Sequence, residues 1–228
     1  LSLTDMQHSR GESIKDTAKA LSRYVDAIVA RVYEHSFLED LAKHATIPVI
    51  NGLSNSYHPC QTLADLMTVK EYKKKFKGIK IAWVGDGNNV CNSLIFGCSK
   101  TQTHLSIATP KGFEPNPAVV KKSSKHTTID LTTDPKLAVK DADVVMTDSF
   151  VSIHDSDAKS KKFLPTYQVN KSLMDKAKND AIFMHCLPAK RGHEVTNSVM
   201  DSTQSVIWDQ AENRLHSQKA LLASLLSV

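Results

Sequence analysis

The stretch "FMHCLPAKRGHEV" (183–195) places a histidine, a cysteine and a proline at the end of an apolar run. Cys186 has three possible roles there: nucleophile, metal ligand or pocket wall. A nucleophilic thiolate needs a neighbouring base. Side chains alternate along a strand, so His185 is a poor candidate for that base. The following Leu187–Pro188 pair predicts a rigid turn in which the carbonyl groups of Cys186 and Leu187 accept hydrogen bonds.

Three further segments carry cationic or amide side chains. Arg31 lies in the apolar run "IVARVY", where a buried guanidinium would require an anion, either a carboxylate or a phosphate. His58 and Gln61, in "YHPCQTLADLMT", are three residues apart at the start of a predicted helix and can share one face. They suit a carbonyl oxygen and an amide, although capping or packing is equally possible. Arg214 is expected in the first turn of the last helix, where a cation opposes the helix dipole unless an anion lies opposite.

The segment "WVGDGNNV" (83–90) reads as a strand, a glycine turn and a helix start. A dinucleotide fingerprint would need glycine at Val90 and an acid at the end of the next strand, and both are absent. A nicotinamide cofactor is therefore disfavoured. Asn88 and Asn89 remain as neutral hydrogen-bonding groups at a helix N-terminus, or as part of a plain capped turn.

Asp148 ends a predicted strand in "MTDSFVSIHD" and is followed four residues later by Ser152. A carboxylate at this position suits an ammonium group of a ligand, and the alternative is an aspartate that starts a turn.

These residues lie on a regular alternation of strands and helices. Strands are predicted at 26–33, 47–50, 79–85, 103–109, 127–131, 142–148, 181–187 and 205–208, and helices at 13–23, 36–44, 59–74, 89–100, 116–123, 170–179 and 209–226. Alternation of this kind predicts an α/β fold with doubly wound parallel sheets. Ligands in such folds bind beyond the carboxyl ends of the strands, which is where most of the candidate residues lie.

Composition narrows the class of protein further. The 228 residues are 41% hydrophobic and 23% charged, as in a globular protein, and no apolar run is long enough to cross a membrane. The net charge of +5 is modest, and the basic segment 70–80 lacks a recognisable nucleic-acid-binding motif. The four cysteines form no CxxC pair, which disfavours a zinc site or a disulfide framework and favours a reducing compartment.

Taken together, "RGESIKDTAKALSRYVDAIVARVY", "INGLSNSYHPCQTLADLMT", "WVGDGNNV", "ATPKGFEP", "FMHCLPAKRGHEV" and "WDQAENRLHSQKALL" resemble the aspartate/ornithine carbamoyltransferase family, most closely its ornithine-using branch. The HPxQ element followed by HCLP is the most specific part. The resemblance implies transfer of the carbamoyl group of carbamoyl phosphate to L-ornithine, giving L-citrulline and phosphate, in arginine metabolism. It implies no cofactor, no metal, a homotrimer or a multiple of trimers, and a cytoplasmic enzyme, with the mitochondrial matrix left open.

The resemblance also assigns residues. Those implied for carbamoyl phosphate are Arg31, His58, Gln61, Cys186, Leu187 and Arg214. Those implied for ornithine are Asn89, Asp148, Ser152 and Ile153. Arg31, His58, Asp148 and Cys186 would take part in catalysis.

The implied domains are the C-terminal part of a carbamoyl phosphate-binding domain (1–57), an interdomain helix (58–75), an ornithine-binding domain (76–208) and a C-terminal helix that packs back on the first domain (209–228). The family's Ser-x-Arg-Thr phosphate loop does not occur in the chain, so we expect the first lobe to be only partly present, with about 100 further residues upstream.

One segment departs from the family pattern. Ser152, Ile153 and His154 stand where the ornithine enzymes usually read Ser-Met-Gly. This difference leaves open a carbamoyltransferase for another amine, such as acetylornithine or putrescine. Loss of the phosphate loop from the natural protein would instead favour a non-catalytic family member.

Overall fold

The computed structural model describes residues 11–151 and 157–226, with the side chains of 157 and 158 left undescribed. The strands of these residues are β1 (Ile28–Arg31), β2 (Val49–Leu53), β3 (Lys80–Val84), β4 (His104–Ala108), β5 (Ile129–Thr132), β6 (Val144–Thr147) and β7 (Ile182–His185). The α-helices are α1 (Ile14–Leu21), α2 (His35–His44), α3 (Pro59–Lys73), α4 (Asn89–Thr101), α5 (Pro117–Ser123), α6 (Pro135–Val139), α7 (Lys171–Met174), α8 (Asn197–Met200) and α9 (Ile207–Leu226), and a 3₁₀ helix spans Asp157–Lys162.

The strands form two parallel sheets, which confirms the α/β prediction. β1 and β2 pair with each other, and the larger sheet has the order β5-β4-β3-β6-β7. In β3, Ile81 and Trp83 belong to one buried cluster and Ala82 and Val84 to another, so both faces of the sheet are covered. Burial on both faces explains why these strands are apolar almost throughout.

The order of the larger sheet creates a crevice. From β3 the chain first moves outward through β4 and β5, and it then returns to the other side of β3 to form β6 and β7. The carboxyl ends of β3 and β6 therefore flank the point at which the winding reverses, which is where open α/β sheets bind ligands. The turn after β3 and Asp148 after β6 both lie at this crevice.

The prediction of an eighth strand at 205–208 is wrong. Ser205 makes only an isolated parallel bridge to Phe183, and α9 begins at Ile207. A short apolar run fits a buried helix start as well as a strand, and Val206 and Ile207 are buried. The helix predicted at 170–179 is also much shorter than expected, and α6 and α8 were not predicted.

α3 and α9 pack against each other and carry polar residues in their contact. The side-chain amide of Asn213 donates to Thr68 Oγ1 at 2.9 Å and to Glu71 Oε2 at 2.6 Å. These bonds hold together two helices that lie about 140 residues apart in the chain, and they help to set which side chains of α3 and α9 face each other. Among the described helices, none is both long and apolar enough to span a membrane.

Candidate active site

His58 lies at the N-terminal end of α3, with Pro59 as the first helical residue. Its backbone N–H donates to Ser93 Oγ at 2.7 Å, and its ring is buried, with no hydrogen-bond partner for Nδ1 in the described structure. Burial, followed by the positive charges of Arg214 and Arg31, lowers the pKa of His58 to about 4, against the opposing charge of Asp148. The imidazole is therefore neutral near pH 7 and available to a ligand.

Gln61 and Arg214 meet across the contact between α3 and α9. Arg214 Nη1 donates to Gln61 Oε1 at 2.7 Å, and Arg214 Nε is buried without a hydrogen-bond partner in the described structure. Because α9 begins at Ile207, Arg214 lies beyond the first turn, and the predicted conflict with the helix dipole is wrong. Its position beside Gln61 and His58 now supports a binding role.

Arg31 ends β1, directly after an irregularity in its pairing with β2. Its side chain is exposed, so burial does not by itself require an anion there, contrary to the sequence argument. The guanidinium is nevertheless near enough to His58 to lower the pKa of that histidine. Arg31 therefore contributes positive charge at the rim of the same site.

The turn after β7 is held from behind by two buried residues. His185 Nδ1 accepts the backbone N–H of Leu187 at 2.9 Å, which places the ring proton on Nε2, 3.3 Å from Glu194 Oε1. Burial raises the pKa of Glu194, but hydrogen bonds from His185 and the Lys190 N–H outweigh it, and the pKa is lowered. Leu187 has a φ of 56°. The inward N–H bond thus stabilises a left-handed turn that a branched residue rarely adopts.

Cys186 and Asp148 form the opposite wall. The Cys186 thiol donates to Asp148 Oδ1 at 3.1 Å, and Asn88 Nδ2 donates to Asp148 Oδ2 at 2.7 Å. Burial, and then the charge and hydrogen bond of Asp148, raise the pKa of Cys186 well above its usual value. The thiol is therefore protonated at neutral pH and acts as a hydrogen-bond donor. In this state Cys186 is poorly suited to act as a nucleophile.

Asn89 occupies the first turn of α4, and Asn88 is the N-cap of that helix. Asn89 Nδ2 donates to the Ser54 carbonyl at 2.7 Å, which ties the turn after β3 to the segment after β2. Asn89 is only partly buried.

Asp148, His185 and Cys186 also have the composition of a metal site. One potential ligand atom from each lies within 4.8 Å of the others. The two nitrogens of His185 face the Leu187 N–H and Glu194, and the Cys186 thiol is retained as a donor. A metal ion would have to break these bonds and remove the thiol proton, so the residues fit a hydrogen-bonded wall better.

Low thiol reactivity at Cys186 is the first testable consequence. We expect iodoacetamide to alkylate Cys186 at pH 8 at least about tenfold more slowly than free cysteine, because thiolate is the reactive form. Mass spectrometry of the digested protein measures the rate at this site. Asp148→Asn is the informative companion, since removal of the neighbouring charge is expected to accelerate the alkylation. Fast alkylation of the unchanged protein would contradict the raised pKa.

The structure brings Arg31, His58, Gln61, Arg214, Asn89, Asp148, Cys186 and Leu187 to one region between the two sheets. Ser152 and Ile153 lie outside the described residues. Sequence reasoning missed Asp65, which accepts from Gln61, and Gln210, which donates to Asp65. Asn88 was recognised as a hydrogen-bonding group at a helix N-terminus, but its contact with Asp148 was not predicted. Asp65 and Gln210 both carried a weak signal: Asp65 follows Gln61 and Gln210 precedes Arg214 by four residues, the spacing of one helix face.

A crevice between two parallel sheets, with cations and a neutral histidine on one side and a carboxylate on the other, suits an enzyme that binds an anionic ligand beside a cationic one. The chain matches the family model of the aspartate/ornithine carbamoyltransferase carbamoyl-P binding domain at residues 1–71. It matches the model of the Asp/Orn binding domain at residues 77–225. The chain therefore belongs to the aspartate/ornithine carbamoyltransferase family.

Individual relatives agree with this assignment. The chain is 60% identical over 222 residues to an ornithine carbamoyltransferase of Cenarchaeum symbiosum, covering 97% of this chain and 74% of that protein. The structure of the ornithine carbamoyltransferase from Pyrococcus furiosus superposes with a TM-score of 0.95 at 53% identity, covering 100% of this chain and 75% of that one. The anabolic enzyme from Campylobacter jejuni superposes with a TM-score of 0.93 at 40% identity, covering 100% and 78%.

Proposed function

We propose that the protein is an ornithine carbamoyltransferase, which transfers the carbamoyl group of carbamoyl phosphate to L-ornithine and releases L-citrulline and phosphate. The observation that carries the proposal is the convergence of His58, Arg214 and Arg31 on one side of a crevice whose other side is Asp148. Arg214, Arg31 and Asp148 each interact with His58, since their charges shift the pKa of that histidine. The arrangement suits a phosphate-bearing donor and an amine-bearing acceptor.

The donor would bind to the cationic side. Arg31 and Arg214 neutralise the phosphate, and Gln61 holds the Arg214 guanidinium in place. The carbonyls of Cys186 and Leu187 accept hydrogen bonds from the carbamoyl NH2. Neutral His58 donates a hydrogen bond to the carbamoyl oxygen, where negative charge develops as the tetrahedral centre forms.

The acceptor would bind to the carboxylate side. Asp148 binds an ammonium group of ornithine, and Asn89 with Ser152 and Ile153 contacts the remainder of the molecule. The neutral side-chain amine attacks the carbamoyl carbon, the bond from that carbon to the phosphate oxygen breaks, and the amine proton leaves with the phosphate. No covalent enzyme intermediate is needed, so catalysis consists mainly of orienting two substrates and stabilising charge.

The larger organisation is part of the same proposal. Residues up to 57 would belong to the carbamoyl phosphate-binding domain and residues 76–208 to the ornithine-binding domain. The interdomain helix (58–75) contains α3, and α9 returns along it. A role in arginine biosynthesis accords with the relatives described as anabolic. A homotrimer, which sedimentation would detect, and a cytoplasmic location rest on the family resemblance.

Citrulline formation tests the function directly. Purified protein is supplied with carbamoyl phosphate and L-ornithine, and citrulline is measured by its colour reaction. We expect turnover with ornithine and little with acetylornithine, because Asp148 offers a carboxylate to the free α-ammonium group that acetylornithine lacks. His104→Ala, a change at the surface of β4, serves as a neutral control. Turnover with another amine alone would redirect the proposal to that acceptor, and no turnover with any amine would support a non-catalytic protein.

A further inference from the structure

The carboxyl group of Asp65 lies beneath the proposed carbamoyl phosphate site, fully buried between α3 and α9. A single oxygen, Oδ1, accepts from Gln61 Nε2 at 2.8 Å and from Gln210 Nε2 at 2.7 Å. Oδ2 is buried with no hydrogen-bond partner among the described residues. Asp65 therefore touches no substrate position itself, and it holds two side chains that lead to the site.

The oxygen of each of these two side-chain amides has a different partner. The oxygen of Gln61 accepts from Arg214 Nη1 at 2.7 Å, and the oxygen of Gln210 accepts the backbone N–H of His185 at 2.8 Å. His185 in turn accepts the N–H of Leu187. One buried carboxyl is thus linked to the phosphate-side arginine through one amide and to the turn after β7 through the other.

The difference between an amide and a carboxylate explains why a carboxylate is suited to position 65. A side-chain amide can turn over by 180° and exchange its NH2 for its oxygen, whereas an ionised carboxylate only accepts hydrogen bonds. Asp65 therefore selects the orientation in which both NH2 groups point at it. In that orientation both oxygens point outward, at donors. In the reversed orientation each NH2 would face the N–H of Arg214 or of His185, and both contacts would be lost.

We propose that Asp65 is a positioning residue for carbamoyl phosphate: it holds Gln61 and Gln210 in the one amide orientation that orders Arg214 and the turn after β7 together. The identity of the ligand rests on the proposed function. A purely structural role suits the position poorly, because burying a carboxylate costs more than burying an apolar side chain of similar size. Burial raises the pKa of Asp65 to about 6, and the two amide hydrogen bonds oppose that rise.

Two substitutions of Asp65 separate the amide-orienting role from packing. Asp65→Leu removes the acceptor, and we expect carbamoyl phosphate to bind about tenfold more weakly in calorimetry, the effect of losing roughly one well-placed hydrogen bond. Asp65→Asn keeps an oxygen at Oδ1 and places its NH2 where Oδ2 has no partner. The asparagine variant is therefore expected to bind within about threefold of the unchanged protein. Equal loss in both variants, or no loss in either, overturns the proposal.

A double-mutant cycle tests whether Asp65 acts through Gln61. In the unchanged background, Asp65→Leu weakens carbamoyl phosphate binding by a certain factor. We expect that factor to be at least about threefold smaller in a Gln61→Leu background, since the effects of substitutions in one network are not additive. The same factor in both backgrounds overturns the proposal. If Asp65→Leu does not fold, Asp65→Ala replaces it, because a methyl group likewise offers the two amides no acceptor.

The matched control is Asp143→Leu. Asp143 is a buried carboxylate that also has two partners, the Lys80 N–H at 2.8 Å and Lys178 Nζ at 2.7 Å, but it lies at the opposite end of β6. The Asp143→Leu substitution is expected to lower the Tm without weakening carbamoyl phosphate binding. Binding is measured independently of turnover. A protein that binds carbamoyl phosphate but makes no citrulline would refute the proposed function alone, and an active protein unaffected by Asp65→Leu would refute the positioning role alone.

Discussion

Asp148→Asn is expected to lower kcat/KM for ornithine by about 100-fold, because a hydrogen bond between two charged groups contributes about 1.5–3 kcal/mol. The asparagine has no negative charge for the ammonium group of the substrate. Its NH2 group also has to replace an oxygen that now accepts from Cys186, Ser149 or Asn88. Steady-state kinetics with citrulline detection measure the loss, and the Tm verifies that the variant is folded.

The two substrates should respond differently to this change. Removal of a negative charge from the crevice leaves carbamoyl phosphate binding unchanged or slightly tighter, because that ligand is an anion. Asp130→Asn, which alters an exposed carboxylate paired with His104 on β5 and β4, is the matched control and should retain full activity. Weaker binding of carbamoyl phosphate with unchanged ornithine kinetics in Asp148→Asn would reverse the assignment of the two sides of the crevice.

His58→Ala is expected to lower kcat by about 100- to 1,000-fold, the effect of removing one donor that stabilises a developing oxyanion. His58→Asn keeps a neutral N–H donor close to the same place, so it should recover part of this loss. Single-turnover measurements with both substrates saturating separate the chemical step from binding. Equal activity of the alanine and asparagine variants would show that donation from residue 58 is not what the reaction uses.

The pH dependence of kcat provides a second test of His58. Burial and the charges of Arg214 and Arg31 lower its pKa to about 4, so the protonated fraction grows only as the pH falls towards 4. From about pH 5 upward the ring stays neutral, and the profile should show no ionisation from His58 between pH 5 and 8. If an ionisation in that range is present in the unchanged protein and absent in His58→Asn, the pKa is not lowered.

Much of the fold was predictable because its signals are local. Apolar runs bounded by polar turns predicted all seven strands found among the described residues, and Pro59 with the asparagines at 88 and 89 predicted where α3 and α4 begin. The errors came from segments with little local signal. The run at 205–208 was too short to distinguish a strand from a helix start. The prediction that Arg214 lies in the first turn of the last helix was wrong because α9 already begins at Ile207.

The candidate site divides in the same way. The residues whose chemistry is unusual for their place in the chain, such as the HPxQ histidine and the HCLP cysteine, were recognisable individually. Their protonation states were not, because the pKa of His58 and of Cys186 depend on burial and on charges from other elements. The exposure of the Arg31 side chain also could not be predicted from the sequence, since it depends on how much of β1 is covered by other elements.

The order of residues alone specified an α/β chain, its family and the side chains that bear on carbamoyl transfer, since each is encoded in composition and short-range spacing. Which of those side chains act together depended on the packing of α3 against α9 and of β6 beside β7. That packing brings Asp65 to Gln210, 145 residues away, and Cys186 to Asp148, 38 residues away. No local pattern encodes such contacts, because they arise when distant apolar faces are buried together and buried polar groups must then find partners.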